Sequence, residues 1–269
     1  MAEGFHIVVC AGIVPDPLQT LEPITGPEGP ALKNEMMLPA WLDPWAKHAL
    51  FEAAHLAANT PESKVWLVSM APKTKLQQVM MSIAQKATFE LVALDGPASG
   101  FTEAEPVAEH LSEAIKGIDG LDMDRLLLFG GWESASRGAG ATMQLVGERL
   151  GIVEQFQGVD QLTVNDNGAL KILERVEGGM HQVSQCDGPP AVLGWATGHL
   201  PEPPNNPQVG MTNMRTLMPS LQQAKPVSVQ VDGKVFANVE VPKQRRETRI
   251  VKDTSTDEIA QEIVDWINN

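Results

Sequence analysis

The chain contains no tyrosine among its 269 residues and only two cysteines, and basic residues are scarce, 20 Lys and Arg against 34 Asp and Glu. The missing tyrosine removes the phenol as a general acid or base. Cys10 and Cys186 lie far apart, one in an apolar run and one beside a Gly-Pro turn, so neither a disulfide framework nor a metal-ligand cluster is expected. The net charge of −14 argues against nucleic acid or an anionic membrane surface as a partner, because both reward a basic face. No apolar run reaches the ~18 residues needed to span a bilayer, and the start MAEGFHIVV shows no basic, hydrophobic targeting segment. The expected location is the cytoplasm.

Catalytic constellations are also missing. The histidines at 6, 48, 55, 110, 181 and 199 are scattered, and His48 and His55 are seven apart, where a helical metal pair would be three or four apart. Ser134 and Ser136 do not sit in a G-x-S-x-G elbow. Without such a set, any chemistry would belong to a cofactor that the protein positions.

The most informative stretch is Leu126 to Gly151, LLLFGGWESASRGAGATMQLVGERLG, which reads as strand, loop, helix. Gly130, Gly131, Ser134, Ser136, Gly138 and Gly140 form a loop in which backbone N–H groups can approach a ligand, and the next helix points its unpaired N–H groups and positive dipole end the same way. This is anion-binding chemistry. The pattern lacks the lysine of the G-x-x-x-x-G-K-[ST] phosphate loop and does not match G-x-G-x-x-G. A glycine-rich turn ending a buried strand is the structural alternative. Arg137 in the same loop could pair with a phosphate or simply lie exposed at a helix start.

Around that stretch the chain alternates. Phe5–Val14, Lys64–Met70, Phe89–Leu94 and Arg125–Phe129 read as strands. Between them, Asp43 and Pro44 start one helix, and Leu76, Val79, Met80 and Ile83 mark the buried face of a second. Thr102 and Glu105 suggest a capping box opening a third, with Val107, Leu111 and Ile115 on one face. Leu18–Pro39 reads as a surface excursion rich in Gly and Pro. The fold class is therefore α/β, a doubly wound, mostly parallel, Rossmann-like sheet with β-hairpin additions and an extended C-terminal arm. In such a sheet Cys10, Asp43, Met70 and the Gly130 loop meet at the carboxyl ends of the strands.

After Gly151, Asp160–Val164, Leu170–Val176 and Met180–Ser184 read as shorter strands, and Ala191–Trp195 as one that could return to the sheet. Thr197–Lys225, with prolines at 201, 203, 204, 207 and 219, reads as an exposed loop. A hairpin over Val227–Val241 follows, then a basic stretch Lys243–Arg249. Ser255 and Glu258 cap a last helix with an Ile259, Ile263, Ile267 stripe. The division expected is a nucleotide-binding domain over 1–196 and a docking loop, hairpin and arm over 197–269.

The ordered set of segments resembles the β subunit of electron-transfer flavoproteins over nearly the whole chain. The segments are Val14-Pro15-Asp16, Leu42-Asp43-Pro44-Trp45 with Ala49-Leu50-Phe51-Glu52-Ala53-Ala54, Val68-Ser69-Met70-Ala71-Pro72 and the Leu127–Thr142 loop. They continue with Glu174-Arg175-Val176-Glu177-Gly178-Gly179, Pro189-Pro190-Ala191-Val192 and Thr216-Leu217-Met218-Pro219. The resemblance implies an electron carrier without catalysis of its own, in a heterodimer with an α subunit that holds most of an FAD. It implies an AMP site on Cys10, Asp43, Pro44, Trp45, Ala46, Met70 and the loop residues Gly130, Gly131, Ser134, Ser136, Arg137, Gly138, Gly140 and Thr142. It further implies a docking loop whose anchor is Leu217 or Met218, electrons arriving from a flavoprotein dehydrogenase, and a quinone oxidoreductase beyond. Two departures stand out: the family's loop aspartates and Asn-Gln-Thr are replaced by Trp132 to Thr142, and its helix-start asparagine is Asp43. Alternatives are a bifurcating member with a second FAD in place of AMP, and a stand-alone ATP-binding regulatory protein of the universal-stress type.

Overall fold

The computed structural model describes residues 4–26, 29–97, 102–136, 138, 140–229, 240, 243 and 248–268. The first strand, β1 (His6–Cys10), is buried along its whole length. Phe5–Val14 is not one strand: after a break at Ala11 and Gly12 the chain re-enters extended structure as β2 (Ile13–Pro15). The Gly- and Pro-rich excursion holds a small antiparallel pair, β3 (Pro23–Gly26) with β4 (Gly29–Leu32), and β5 (Ala40–Leu42) pairs back onto β2.

Helix α1 (Pro44–Asn59) starts as its sequence specifies, with Pro44 in the first turn and Asp43 as the N-cap. It is followed by β6 (Lys64–Ala71), α2 (Lys73–Ile83), β7 (Glu90–Asp95), α3 (Ala104–Lys116), β8 (Leu126–Gly131) and α4 (Thr142–Arg149). Leu76, Val79, Met80 and Ile83 are the buried face of α2, as their spacing predicts. The capping box proposed at Thr102 is not what opens α3: the N-cap is Glu103, and it makes no side-chain cap bond.

Three strands then form an antiparallel meander, β9 (Glu154–Val164), β10 (Leu170–Arg175) and β11 (His181–Cys186), and β12 (Ala191–Trp195) returns to the parallel region. The sheet order is β11-β10-β9-β12-β8-β1-β6-β7-β13, the last being β13 (Lys225–Pro226). From β1 the chain winds outward through β6 and β7, then crosses back to β8 on the other side of β1. That reversal makes β1 and β8 the switch point, and a crevice opens beyond their carboxyl ends.

Alternation along the strands divides the core. Ile7 and Val9 face α1 and α2, whereas Val8 and Cys10 face α3 and α4. Both faces are covered, so the central strands are apolar on both sides.

The segment read as an exposed loop over Thr197–Lys225 is instead half helical, with α5 over Pro207–Gln222. Asn206 caps it and Pro207 occupies its first turn, a start signal hidden by the surrounding prolines. Leu217 and Leu221 are 1% and 2% exposed and join the α1/α2 side of the core. Buried Asn213 donates from Nδ2 to the Ala84 and Ala87 carbonyls, at 2.7 and 2.6 Å, satisfying acceptors left at the end of α2. The approach to α5 is strapped down as well. Glu52 Oε1 accepts from the His199 and Leu200 N–H groups, and Glu202 pairs with Lys47 and Lys86.

The chain divides into two compact units, Met1–Val239 and Glu240–Asn269. In the second unit α6 (Thr256–Ile267) opens with the capping box that Ser255 and Glu258 predict, and none of its residues is buried. Ile259, Ile263 and Ile267 are 46%, 50% and 74% exposed. The hairpin expected over Val227–Val241 falls largely outside the described residues. No described helix is long and apolar enough to cross a membrane.

Candidate functional site

The crevice at the switch point is a cleft whose floor is the end of β1. Its walls are the end of β6, the loop after β8 and the start of α4. Of the residues proposed from sequence, Cys10, Asp43, Ala46, Met70, Gly131, Ser134, Ser136, Gly140 and Thr142 line it. Pro44, Trp45, Gly130 and Gly138 do not, and Arg137 lies outside the described residues. Lining residues that sequence reasoning missed include Glu133 and Met143 from the same segment and Leu111 from α3. Leu111 carries no signal of its own, since a core leucine and a lining leucine look alike in sequence.

Local hydrogen bonding fixes the floor. The Ala11 N–H donates to the Val68 carbonyl at 3.0 Å, and buried Ser69 Oγ donates to the Ala11 carbonyl at 2.7 Å. Cys10 presents a thiol and not a thiolate, because burial pushes its pKa up to about 12. Asp43 is 4% exposed, and burial raises its carboxyl above the usual range despite hydrogen bonds that favour the ionised form.

Three glycines of the loop are closely packed. A Cβ on Gly140 would meet the Trp132 carbonyl oxygen at 2.0 Å, and one on Gly131 would meet the Trp45 Cβ at 2.7 Å. Gly130 lies against Met143 in the same way. Only Gly138, with φ +60°, is required by its backbone conformation, accepting the left-handed geometry with open space around it. Its N–H donates to the Ser134 carbonyl at 2.7 Å. Trp45 stands edge-on to Trp132, with ring centroids 6.4 Å apart, at the outer side of this turn.

Two features bear on what the cleft can hold. Helix α4 begins after Ala141, which provides no side-chain cap, and its first residues Thr142 and Met143 line the cleft, where the start of a helix favours negative charge. Ser134 and Ser136 also line the cleft, with their hydroxyls 2.9 Å apart and bonded to each other. Asp43 and Glu133 are the charged groups among the described lining residues, and no lysine or arginine is among them.

Elsewhere, the docking anchor implied by the resemblance is not displayed. Leu217 is interior, and Met218, on the same helix, is half-buried against the core. The histidines are structural or surface groups: His6 Nδ1 accepts the Asp122 N–H at 2.8 Å, and His181 pairs with Asp160. Among the described residues no cluster of three or more His, Cys, Asp or Glu could hold a metal ion.

A doubly wound sheet with a cleft at its switch point and a glycine- and serine-bearing loop on the cleft wall defines an α/β protein whose ligand crevice lies beyond the carboxyl ends of its strands. Comparison with known families narrows this. The family model described as the electron transfer flavoprotein domain matches residues 35–217, and the chain belongs to the electron-transfer flavoprotein β subunit family. The match runs from the turn before β5 to α5 and includes the whole loop after β8. A search of curated proteins finds no match. Members of the family are electron carriers and not catalysts, which agrees with the role expected from the sequence.

Proposed function

We propose that the chain is the β subunit of an electron-transfer flavoprotein heterodimer, with AMP in the cleft and an FAD held mainly by the α subunit. Electrons come from a flavoprotein dehydrogenase and pass toward a quinone oxidoreductase of the respiratory chain. The observation that carries this reading is the family match across residues 35–217, which spans the cleft-forming loop and every strand of the large sheet except β1 and β13. The start of α4 on the cleft wall, where Ala141 offers no side-chain cap, supports placing a phosphate there, with the Ser134 and Ser136 oxygens as polar neighbours of a ribose. FAD supplies the redox chemistry when bound, and this chain's contribution is to position and seal. The exposed Ile259, Ile263 and Ile267 stripe of α6 is the face of a C-terminal arm that packs on the α subunit.

A second reading, the bifurcating form with a second FAD in place of AMP, is favoured by one observation. Beyond Ile13, Val14, Pro15 and Pro97 the cleft shares its wall with an apolar hollow, bounded also by Leu38 and Pro39, with room beside the mononucleotide position. Purification of the complex with its α subunit, followed by denaturation and chromatography of the released nucleotides, separates the two. One FAD and one AMP per heterodimer supports the first reading, and two FAD without AMP supports the second.

A further inference from the structure

We propose that Asp43 is a positioning residue that latches the loop after β8 onto the start of α1, and that a carboxylate, as opposed to a carboxamide, is what makes the latch. Asp43 Oδ1 accepts the Trp45 N–H at 3.1 Å and caps α1, while Oδ2 accepts the Ala135 N–H at 3.0 Å from across 92 residues of sequence. The Asp43 N–H donates to the Gly12 carbonyl at 2.8 Å. One buried residue therefore ties together the end of β1, the head of α1 and the loop that carries Ser134 and Ser136 into the cleft.

Both carboxylate oxygens face N–H donors of the chain itself. An asparagine would serve one of them and turn its NH2 against the other, donor against donor. Asn and Asp are equally good N-caps, so helix capping alone gives no reason for the acid. The loop does: Ala135 needs an acceptor on the far side of the cap. The Ser134 hydroxyl and the Ala46 N–H also favour the ionised form, although burial is the larger influence on its pKa. Occupied in this way, Asp43 holds the cleft's hydroxyl wall in place and leaves contact with a ligand to Ser134, Ser136 and the first turn of α4. The latch itself rests on geometry alone, whereas its effect on a nucleotide rests on the function proposed above.

The test is amide hydrogen exchange on the full chain in complex with its α subunit, comparing the native protein with Asp43→Asn. The expected result is exchange at Ala135 faster by at least about ten-fold, with the Trp45 amide changed by less than about two-fold. AMP binding should weaken about ten-fold in the same variant. Unchanged protection at Ala135, or Ala135 and Trp45 opening together, would overturn the latch. If the variant does not fold, the native protein still decides: Ala135 should exchange at least about ten-fold more slowly than Ser136, whose N–H has only a 3.4 Å contact to Ser134 Oγ, and equal rates would overturn the proposal. Should AMP fail to bind even to the native complex while Ala135 behaves as expected, the nucleotide reading fails and the latch stands.

Discussion

Leu217→Ala separates two roles that the same leucine could have. As a docking anchor on an exposed loop it could be truncated with little effect on folding, since exposed substitutions usually stay within about 0.5 kcal/mol. In the structure it is 1% exposed, on α5, within the core shared with α1 and α2. Removing three buried carbons there forfeits their transfer energy and leaves a cavity, together about 2.7–5 kcal/mol for a core leucine. For a domain of this size each kcal/mol lowers the melting temperature by about 2–4 °C, so a loss near 3 kcal/mol should lower it by about 6–12 °C. Met211→Ala on the same helix is the control, because Met211 is 67% exposed and its loss should be nearly silent. Circular dichroism melts and urea midpoints of both variants make the comparison. A Leu217→Ala midpoint within about 2 °C of the parent, with electron transfer from the dehydrogenase lost, would refute the buried assignment and restore the docking role.

Other substitutions test neighbouring parts of the argument. Gly140→Ala drives a Cβ into the Trp132 backbone and should cost about 1–3 kcal/mol or more by overpacking, whereas Gly138→Ala meets open space and should cost about 1–2 kcal/mol from its left-handed backbone alone. A Gly140→Ala urea midpoint equal to that of the parent would contradict the packing role of Gly140. Asn213→Leu strands the Ala84 and Ala87 carbonyls and should destabilise by about 2–4 kcal/mol, and a neutral result would mean that those carbonyls find water. Burial pushes the Asp160 carboxyl up, but hydrogen bonds from His181, Arg175 and Thr197 outweigh it and hold the pKa below the usual range. With the folded pKa depressed, the stabilisation is fully present above the unfolded value near ~3.9 and is lost as pH falls through the folded value. Arg175→Met should flatten the fall in urea midpoint on acidification below about pH 4, and an unchanged slope would remove the ion pair from the explanation.

What could be read from sequence follows from how local each signal is. The Asp43-Pro44 helix start and the Ser255/Glu258 capping box are complete within four residues, and both appear as predicted. The parallel sheet was legible because β1, β6, β7 and β8 are buried on both faces, which writes continuous apolar runs into the chain. Helix α5 was hidden because its flank is rich in proline and its stability comes from contacts far away in sequence, Asn213 with the end of α2 and Leu217 with the core. For the same reason the loop expected to expose Leu217 is a helix that buries it.

Gly131 and Gly140 line the cleft as the loop pattern predicts, but close packing is a second demand on the loop's glycines. Sequence reasoning treats a glycine as room for a ligand, yet the space beside Gly130, Gly131 and Gly140 is filled by Met143, Trp45 and the Trp132 backbone. That filling depends on tertiary neighbours that no local spacing encodes. The bond from Ala135 to Asp43 is equally remote, and its sequence trace is an acid where the resembling family has an asparagine.

The most direct measurement is the nucleotide content of the complex formed with the α subunit, released by denaturation and quantified by chromatography. The expected result is one FAD and one AMP per heterodimer. A chain that forms no such complex and is recovered alone, free of flavin and carrying ATP, would contradict the electron-carrier subunit.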